Sequence, residues 1–162
     1  VMGDFCRELE NLGMTNVSSY INSGNFFFNS SLRKEELLVI LERFLDKNYP
    51  FIKVFSLFTL EDYQNDLASL PKWWSEDFYR KDVLFFTERL DKNEMKKIIN
   101  SLELKDEILH FGQLGVYWVK YDKSTYRQTA YHKKLLKTLF YPDITIRNAR
   151  TFSKIGQFLR MK

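Results

Sequence analysis

Apolar and polar residues in the first half of the chain follow two periods in turn. Apolar residues that recur every three or four positions predict helices, and short alternating runs beside glycine predict strands. These periods predict a helix over 2–12, strands over 17–21 and 25–29, a helix capped by Ser31, a strand over 51–58 and a helix over 60–70. Because Ser23 and Gly24 separate the two short strands, this region predicts a β-hairpin.

The second half repeats this order, with one more strand at its start. It predicts a strand over 83–87, a helix over 92–102, a hairpin over 108–113 and 115–121, a helix over 127–140, a strand over 144–147 and a helix over 152–161. The apolar face expected for the 127–140 helix holds Tyr131, Leu135, Leu136 and Leu139. Matching elements recur about 90 residues apart, which indicates an internal duplication.

The resulting order, strand–helix–strand–strand–helix–strand, is that of the split βαβ or ferredoxin-like unit, whose sheet is antiparallel. The pattern therefore predicts an α+β protein with a tandem pair of ferredoxin-like subdomains. We expect the first subdomain over 1–70, a connector over 71–81, and the second subdomain with a C-terminal helix over 82–162. The first repeat lacks its opening strand, which by the period would lie just before Val1, so we expect that strand upstream of this sequence.

Composition narrows the class of protein. Hydrophobic residues make up 44% of the 162 residues, enough for a buried core, and only 6 Gly and 3 Pro exclude collagen-like and linker-like sequence. The longest aliphatic run, 37–41, is far shorter than the ~20 residues of a membrane helix, so no membrane partner is expected. The single Cys6 excludes an intrachain disulfide and cysteine-clustered metal sites, which fits a cytoplasmic protein.

Residue patterns typical of enzymes are scarce. His110 and His132 fall in different predicted elements, without the spacing of a metal site. The chain also lacks a phosphate-binding glycine-rich loop followed by Lys and Ser or Thr, and a Gly-x-Ser-x-Gly motif. Cys6 follows the core-facing Phe5, so we interpret it as a partly buried, passive thiol. These observations favour a protein without catalysis, cofactor or metal, and they assign no catalytic residue.

The first segment that could bind a ligand lies in the predicted hairpin. It consists of Asn22, Ser23, Gly24 and Asn25. Such a segment could present backbone N–H groups and an amide side chain to a ligand. A turn that requires glycine is the simpler interpretation of the same residues.

The second segment that could bind a ligand lies near the C-terminus and consists of Arg147, Asn148, Arg150 and Thr151. Thr151 is expected to cap the last helix, whose first amides carry partial positive charge. Two arginines just ahead of that end suit an anion, either phosphate or carboxylate. The alternative is a capped helix whose arginines bridge the subdomains. In either case we expect a compensating negative group, which is a bound anion or an acidic side chain of the first subdomain.

Positive charge is concentrated in the last quarter of the chain. Residues 120–162 hold 11 basic and 2 acidic side chains, a net +9, so the total of +4 leaves −5 for the remaining residues. Five aromatic residues lie within or just ahead of this basic stretch: Tyr117, Trp118, Tyr121, Tyr126 and Tyr131. RNA-recognition modules use such residues on a ferredoxin-like sheet, so a single-stranded nucleic-acid-binding module is an alternative function. The aromatic residues of 115–121 do not align with the sheet motif of those modules, which makes nucleic acid the less favoured partner.

Two motifs resemble those of an uncharacterised bacterial family, a domain of unknown function. Tyr20-Ile-Asn-Ser-Gly-Asn25 resembles its first hairpin, and 145–151 resembles its C-terminal Thr-Arg-Asn-Trp-x-Thr motif, with Ile146 intervening and Ala149 in place of Trp. The resemblance runs over essentially the whole chain. It implies a cytoplasmic protein with two ferredoxin-like subdomains, and an opening Arg-Gly-Ile-Asn-Val-Gly-Gly strand that this sequence lacks. It implies no activity, cofactor or catalytic residue.

Together these patterns favour a cytoplasmic, non-enzymatic protein of unknown role that binds a small anion or a protein partner in a groove between its subdomains. An enzyme acting on a small anionic substrate stays open beside the nucleic-acid alternative. Trp73 and Trp74 in the connector either cover apolar surface or offer rings on which a ligand could stack.

Overall fold

The structure, a computed structural model, describes residues 2–20 and 24–162, apart from the side chain of Met2. These residues form a mixed α+β protein with six α-helices and two antiparallel sheets. The helices are α1 (Met2–Asn11), α2 (Lys34–Asn48), α3 (Leu60–Ser69), α4 (Lys92–Ser101), α5 (Ala130–Lys134) and α6 (Ala149–Arg160). The strands are β1 (Thr15–Tyr20), β2 (Asn25–Asn29), β3 (Arg80–Phe86), β4 (Glu107–Phe111), β5 (Gly115–Lys120) and β6 (Ile144–Asn148). None of the helices in this part of the chain is both long and apolar enough to cross a membrane.

The chain divides into two compact units. The first unit comprises Val1–Lys53 and Ser153–Lys162, and the second unit is Val54–Phe152. The sequence predicts duplicated subdomains with the boundaries 1–70, 71–81 and 82–162. The division into compact units does not test that duplication, so these boundaries stay a prediction.

In the first unit, β1 and β2 pair as the antiparallel hairpin that the sequence predicts. Gly24 has a φ of 84°, a conformation that glycine adopts without the strain a side chain would cause. Aromatic rings build the core of this unit. Phe5 of α1 stacks on Phe26 with 4.3 Å between ring centroids, and Phe27 stacks on Phe158 of α6 at 4.9 Å.

The second unit is built on a four-stranded antiparallel sheet with the strand order β4-β5-β3-β6. Its central strands β3 and β5 pair over most of their length, with Val83 opposite Tyr117. Because side chains alternate across a strand, each face of the sheet receives half of them. One face contributes to a cluster of buried residues shared with α4 and α5, which are Leu84, Leu90, Met95, Ile99, Val116, Trp118, Ala130, Tyr131, Leu135, Phe140 and Ile144.

The opposite face of this sheet is covered as well. Trp74 contacts Tyr117 edge-on with 5.2 Å between ring centroids, and Phe152 contacts the same tyrosine at 5.5 Å. Phe58 stacks on Phe85 of β3 at 5.3 Å. Every residue of β5 is therefore buried.

The strand predicted over 51–58 is wrong, because these residues form no ladder with the described strands. Alternation of apolar and polar residues indicates only that successive side chains point to opposite sides of the backbone. In this segment the side chains pack on the protein without backbone pairing to the described strands. Phe58 packs on β3, and the Ser56 hydroxyl donates to the backbone oxygen of Phe86 at 2.8 Å. Side chains therefore attach this segment to the sheet.

Two predicted helix caps are also wrong. The N-cap of α2 is Arg33 rather than Ser31, because the preceding Ser30 hydroxyl oxygen accepts an N–H two residues on and closes a turn of its own. The last helix begins at Ala149, so Thr151 lies inside it. The Asn148 side-chain oxygen accepts the backbone N–H of Thr151 at 2.9 Å, and asparagine caps a helix as well as threonine does.

The single helix predicted over 127–140 is broken into α5 and short 3₁₀ turns at Tyr126–Gln128 and Leu135–Lys137. Thr129 caps α5, and the Glu107 carboxylate of β4 accepts the N–H of Ala130 at 2.7 Å, so both contacts fix the start of α5. Thr138, with ψ of 152°, ends the second 3₁₀ turn. The expected apolar face is divided: buried residues are Tyr131 and Leu135, and exposed residues are Leu136 and Leu139.

Asp66 of α3 is a fully buried carboxylate that organises the β4–β5 turn. It accepts the backbone N–H groups of Gln113 at 2.7 Å and Leu114 at 3.1 Å, and the Tyr117 hydroxyl at 2.5 Å. Burial and the nearby carboxylate raise the pKa of Tyr117 above its ordinary value, so the hydroxyl stays protonated and donates. Asp66 therefore ties α3 to the hairpin of the second unit.

Lys120 is a fully buried lysine at the end of β5. Its Nζ donates to Asp82 Oδ2 at 2.8 Å and lies 3.3 Å from the centroid of the Tyr131 ring. The Arg80 guanidinium lies 3.7 Å from the same carboxylate oxygen. Removal from water lowers the pKa of Lys120 to about 8, although Asp82 opposes the shift by favouring the charged form.

Replacing Asp66 tests its role in the second unit. Asp66→Ala leaves the buried Tyr117 hydroxyl and two partly buried amides without their acceptor, so we expect the free energy of unfolding to fall by about 3 kcal/mol. Urea titration followed by circular dichroism measures the loss. Gln64→Ala, at an exposed position of the same helix, should change stability by less than about 0.5 kcal/mol. Equal losses in the two variants would contradict the role given to Asp66.

The lowered pKa of Lys120 predicts a pH dependence of stability. A lysine of the unfolded chain titrates near 10.5, so between about pH 8 and that value the unfolded chain binds a proton that the folded chain has released. The free energy of unfolding contributed by this group therefore rises with pH, by about 2 kcal/mol from roughly pH 7 to pH 9.5.

The rise should appear as a growing stability difference between the wild type and Lys120→Met, whose side chain does not titrate. Urea titrations at several pH values measure the difference. Lys97→Met removes an exposed lysine and serves as the matched control. A difference between wild type and Lys120→Met that stays constant across this pH range would show that the pKa of Lys120 is not lowered.

Candidate functional site

The hairpin segment predicted to bind a ligand is only partly described. Asn22 and Ser23 lie outside the described residues. Gly24 and Asn25 lie at the start of β2 in the first unit, and the buried Asn25 amide donates to the backbone oxygen of Tyr20 at 3.0 Å. This contact holds the two strand ends together, so the described part of the segment matches the interpretation as a glycine turn.

The C-terminal segment forms the junction between β6 and α6 in the second unit, which we call the β6–α6 junction (residues 147–151). The strand ends at Asn148 and the helix begins at Ala149, so no residue separates the two elements. Arg147 and Asn148 close the strand, and Arg150 and Thr151 lie in the first turn of the helix. The chain therefore turns directly from strand to helix, as the predicted anion site requires.

Burial distinguishes the two arginines of the junction. Arg147 is half-buried and lies opposite Val83 of β3, and its Nη1 donates to the backbone oxygen of Ile146 at 2.8 Å. Burial lowers the pKa of the Arg147 guanidinium below its ordinary value, although an arginine stays charged. Arg150 is exposed and forms no ion pair with a carboxylate of the described residues. The junction thus joins one partly desolvated cation to one that is open to solvent.

The first turn of α6 differs from those of four of the other described α-helices. Those four have acidic residues in the first turn, which are Asp4 in α1, Glu35 and Glu36 in α2, Glu61 and Asp62 in α3, and Glu94 in α4. The first turn of α5 has no acidic residue of its own but receives the Glu107 carboxylate of β4. A negative group there is favourable because the helix dipole is positive at its N-terminus. In α6 the first turn has no acidic residue, and it carries Arg150 instead.

The aromatic residues of the basic stretch are mostly inaccessible to a ligand. The exposed fraction is 0% for Tyr117 and Trp118 and 9% for Tyr131. Tyr121 is 44% exposed, and Tyr126 is half-buried. Both faces of the sheet are covered, so three of the five rings proposed for base stacking cannot meet a base.

Trp73 and Trp74 lie in a 3₁₀ helix over Lys72–Ser75, and both are half-buried. Trp74 packs on Tyr117 at 5.2 Å, and Trp73 contacts Trp74 at 6.5 Å between ring centroids. Of the two interpretations of this pair, the contacts favour the covering of apolar surface.

Sequence reasoning missed the buried charged residues of the second unit, which are Asp66, Asp82, Glu107 and Lys120. A signal was present for Lys120, because it shares its side of β5 with Trp118 and lies opposite Glu107 of β4. The side chain of Lys120 has no exposed surface, so its role is structural. Among residues 2–20 and 24–162, no group of three or more His, Cys, Asp or Glu is placed to hold a metal ion.

Comparison with known proteins identifies the family but no activity. The sequence model of a family described as "Protein of unknown function (DUF1697)" matches residues 1–117. No curated protein matches the chain. Among solved structures, the conserved bacterial protein SP0830 from Streptococcus pneumoniae is 55% identical, with 98% of this chain and 88% of that chain covered and a TM-score of 0.97.

These matches confirm the resemblance to an uncharacterised bacterial family that the two sequence motifs indicated. The family model matches residues 1–117, which is more than half of the chain. The structural match to SP0830 covers 98% of the chain. This chain therefore belongs to the DUF1697 family of proteins of unknown function.

Proposed function

We propose that this protein is a binding protein without catalysis of its own, and that it holds a small anion such as phosphate or a carboxylate at the β6–α6 junction. The observation that carries the proposal is the first turn of α6, which has Arg150 and no acidic residue, whereas α1 to α4 each have a carboxylate there. Arg147 closes β6 and Arg150 lies in the first turn of α6, so two cationic residues adjoin the positive end of this helix along the chain. A bound anion would be attracted both by arginine and by the helix end.

Arg147 adds to this argument through its burial. A guanidinium that has lost part of its hydration gains more from an anion than one in water, because the effective dielectric constant around it is lower. The planar guanidinium presents paired donors that match the oxygens of a phosphate or a carboxylate. The amides at the start of α6 other than that of Thr151, which donates to Asn148, would supply further donors, since the first amides of a helix have no partner within it.

The topology of the second unit supports a more specific proposal about the fold. Its element order is β3-α4-β4-β5-α5-β6, and its strand order is β4-β5-β3-β6. This is the arrangement of a split βαβ unit, and we propose that the second unit is ferredoxin-like and that the first is its duplicated counterpart. In that arrangement β6 is an edge strand, so the junction at its end can be reached by a ligand.

Phosphate-dependent thermal stability tests the proposed function. At tenfold excess over its dissociation constant, a ligand that binds only the folded state adds about 1.4 kcal/mol, which raises the Tm of a chain of this size by roughly 3–6 °C. We expect such a rise with phosphate but not with chloride at equal ionic strength. The rise should disappear in Arg147→Ala/Arg150→Ala and persist in Arg43→Ala/Arg89→Ala, which removes two exposed arginines elsewhere.

Equal phosphate shifts in the wild type and the junction variant would overturn the anion site. Short single-stranded RNA in the same assay distinguishes the nucleic-acid alternative, because its effect would fall with salt and grow with the length of the strand. Turnover of an anionic metabolite that is lost in Arg147→Ala would instead indicate the enzyme.

A carboxylate introduced at the cap provides a second test. Asn148→Asp keeps a capping oxygen for the N–H of Thr151 and adds the negative charge that α6 lacks. We expect a smaller phosphate shift than in the wild type, because the new charge repels the anion. The Asp82 carboxylate lies opposite residue 148 in the ladder and opposes the gain from the helix dipole, so no rise of the Tm in chloride is expected. Asn100→Asp, at an exposed position near the end of α4, is the matched control. A phosphate shift as large in Asn148→Asp as in the wild type would place the anion elsewhere.

A further inference from the structure

The end of α5 and the turn that follows it project two leucines into solvent, and we call residues 133–139 the leucine–lysine loop. Leu136 is 70% exposed and Leu139 is 81% exposed. Both ends of the loop are anchored, since Leu135 and Phe140 are buried in the core cluster of the second unit. The Thr138 backbone N–H and hydroxyl both donate to the backbone oxygen of Leu135, at 3.1 and 2.7 Å. These contacts fix a turn in which the two leucines lie outside the core.

The same loop is strongly basic. Lys133, Lys134 and Lys137 are all exposed. The sequence contains no acidic residue between Asp122 and Asp143, and the exposed Glu103 carboxylate interacts electrostatically with Lys133. Two exposed apolar side chains therefore lie on the same turn as three lysines.

The position of these leucines conflicts with the sequence pattern. Spacing alone places Leu136 and Leu139 on the buried face of a helix, but the structure exposes them and buries their neighbour Leu135. Two strongly exposed leucines on one turn with anchored ends are a feature that favours an interaction surface.

We propose that the leucine–lysine loop binds the surface of an anionic lipid bilayer, with the leucines entering the headgroup region and the lysines contacting lipid phosphates. Interfacial segments combine aliphatic side chains with lysines in this way. A protein partner fits less well, because lysine is depleted in protein interfaces and leucine is rare among their dominant residues. Single-stranded nucleic acid would require exposed rings, and the loop has none. The absence of a long apolar run in the sequence does not bear on this binding mode, since surface attachment needs no spanning helix.

Vesicle flotation of the intact protein tests the proposal. Extruded vesicles of phosphatidylcholine alone are compared with vesicles that contain equal parts of phosphatidylglycerol. We expect binding to the anionic vesicles to be at least about tenfold stronger, and to weaken at about 0.5 M NaCl. Leu136→Ser/Leu139→Ser should lower the binding about tenfold, because both side chains contribute apolar area to the headgroup layer.

Matched variants separate the contributions of apolar contact and charge. Leu32→Ser/Val39→Ser changes two exposed apolar residues elsewhere, 39% and 47% exposed, and should bind as the wild type does. Lys133→Gln/Lys134→Gln/Lys137→Gln should lose binding to anionic vesicles, whereas a triple variant of three other exposed lysines, Lys34→Gln/Lys47→Gln/Lys97→Gln, should retain it.

Three outcomes would overturn the proposal. They are the absence of binding by the wild type, undiminished binding by the leucine variant, and equal loss in the loop and control lysine variants. The loop leucines are exposed, so Leu136→Ser/Leu139→Ser should keep the wild-type Tm, and a lost interaction can then be distinguished from a lost fold.

Discussion

The complete burial of β5 is the constraint on which the second unit depends. This strand lies inside the four-stranded sheet, and helices and aromatic residues cover both of its faces. Close packing around it leaves no room for a side chain at Gly115, where a Cβ atom would lie 2.3 Å from the backbone oxygen of Leu84. A sheet buried on both sides offers no open face for a ligand, so binding sites of this unit must lie at its edges, its strand ends and its loops.

Because β5 is buried along its whole length, its polar side chains need partners inside the protein. Lys120 ends β5 inside the protein and is matched by Asp82 and the ring of Tyr131. Glu107 accepts from Trp118 of the same strand and from the start of α5, and thereby positions a helix on the sheet. Breaking such contacts is costly, although a buried ion pair adds little to stability compared with apolar residues of the same size. These contacts therefore favour one arrangement of the helices and strands over others, rather than adding to the free energy of unfolding.

Two surfaces of the second unit differ from the rest of this unit, one in the charge at a helix end and one in the exposure of apolar residues. At the β6–α6 junction, the first turn of α6 carries Arg150 and no acidic residue, whereas those of α1 to α4 carry carboxylates. At the leucine–lysine loop, the core takes Leu135 and Phe140 but leaves Leu136 and Leu139 outside. The two proposals assign an anionic partner to both surfaces, which is a small anion at the junction and an anionic bilayer at the loop. Both surfaces lie in the last quarter of the sequence, where positive charge is concentrated.

The sequence by itself determined the class and order of most elements, because periodicity reports which side chains share a face. It determined the hairpins, and it placed the candidate arginines at a strand-to-helix junction. It could not show that residues 51–58 form no strand, because packing alone accounts for their alternation. It also could not show that Asn148 rather than Thr151 caps the last helix. Only the tertiary structure decided that Leu136 and Leu139 are exposed and Lys120 is buried. The physical reason is that burial and charge pairing depend on residues distant in the chain, whereas helical and strand periods depend on near neighbours.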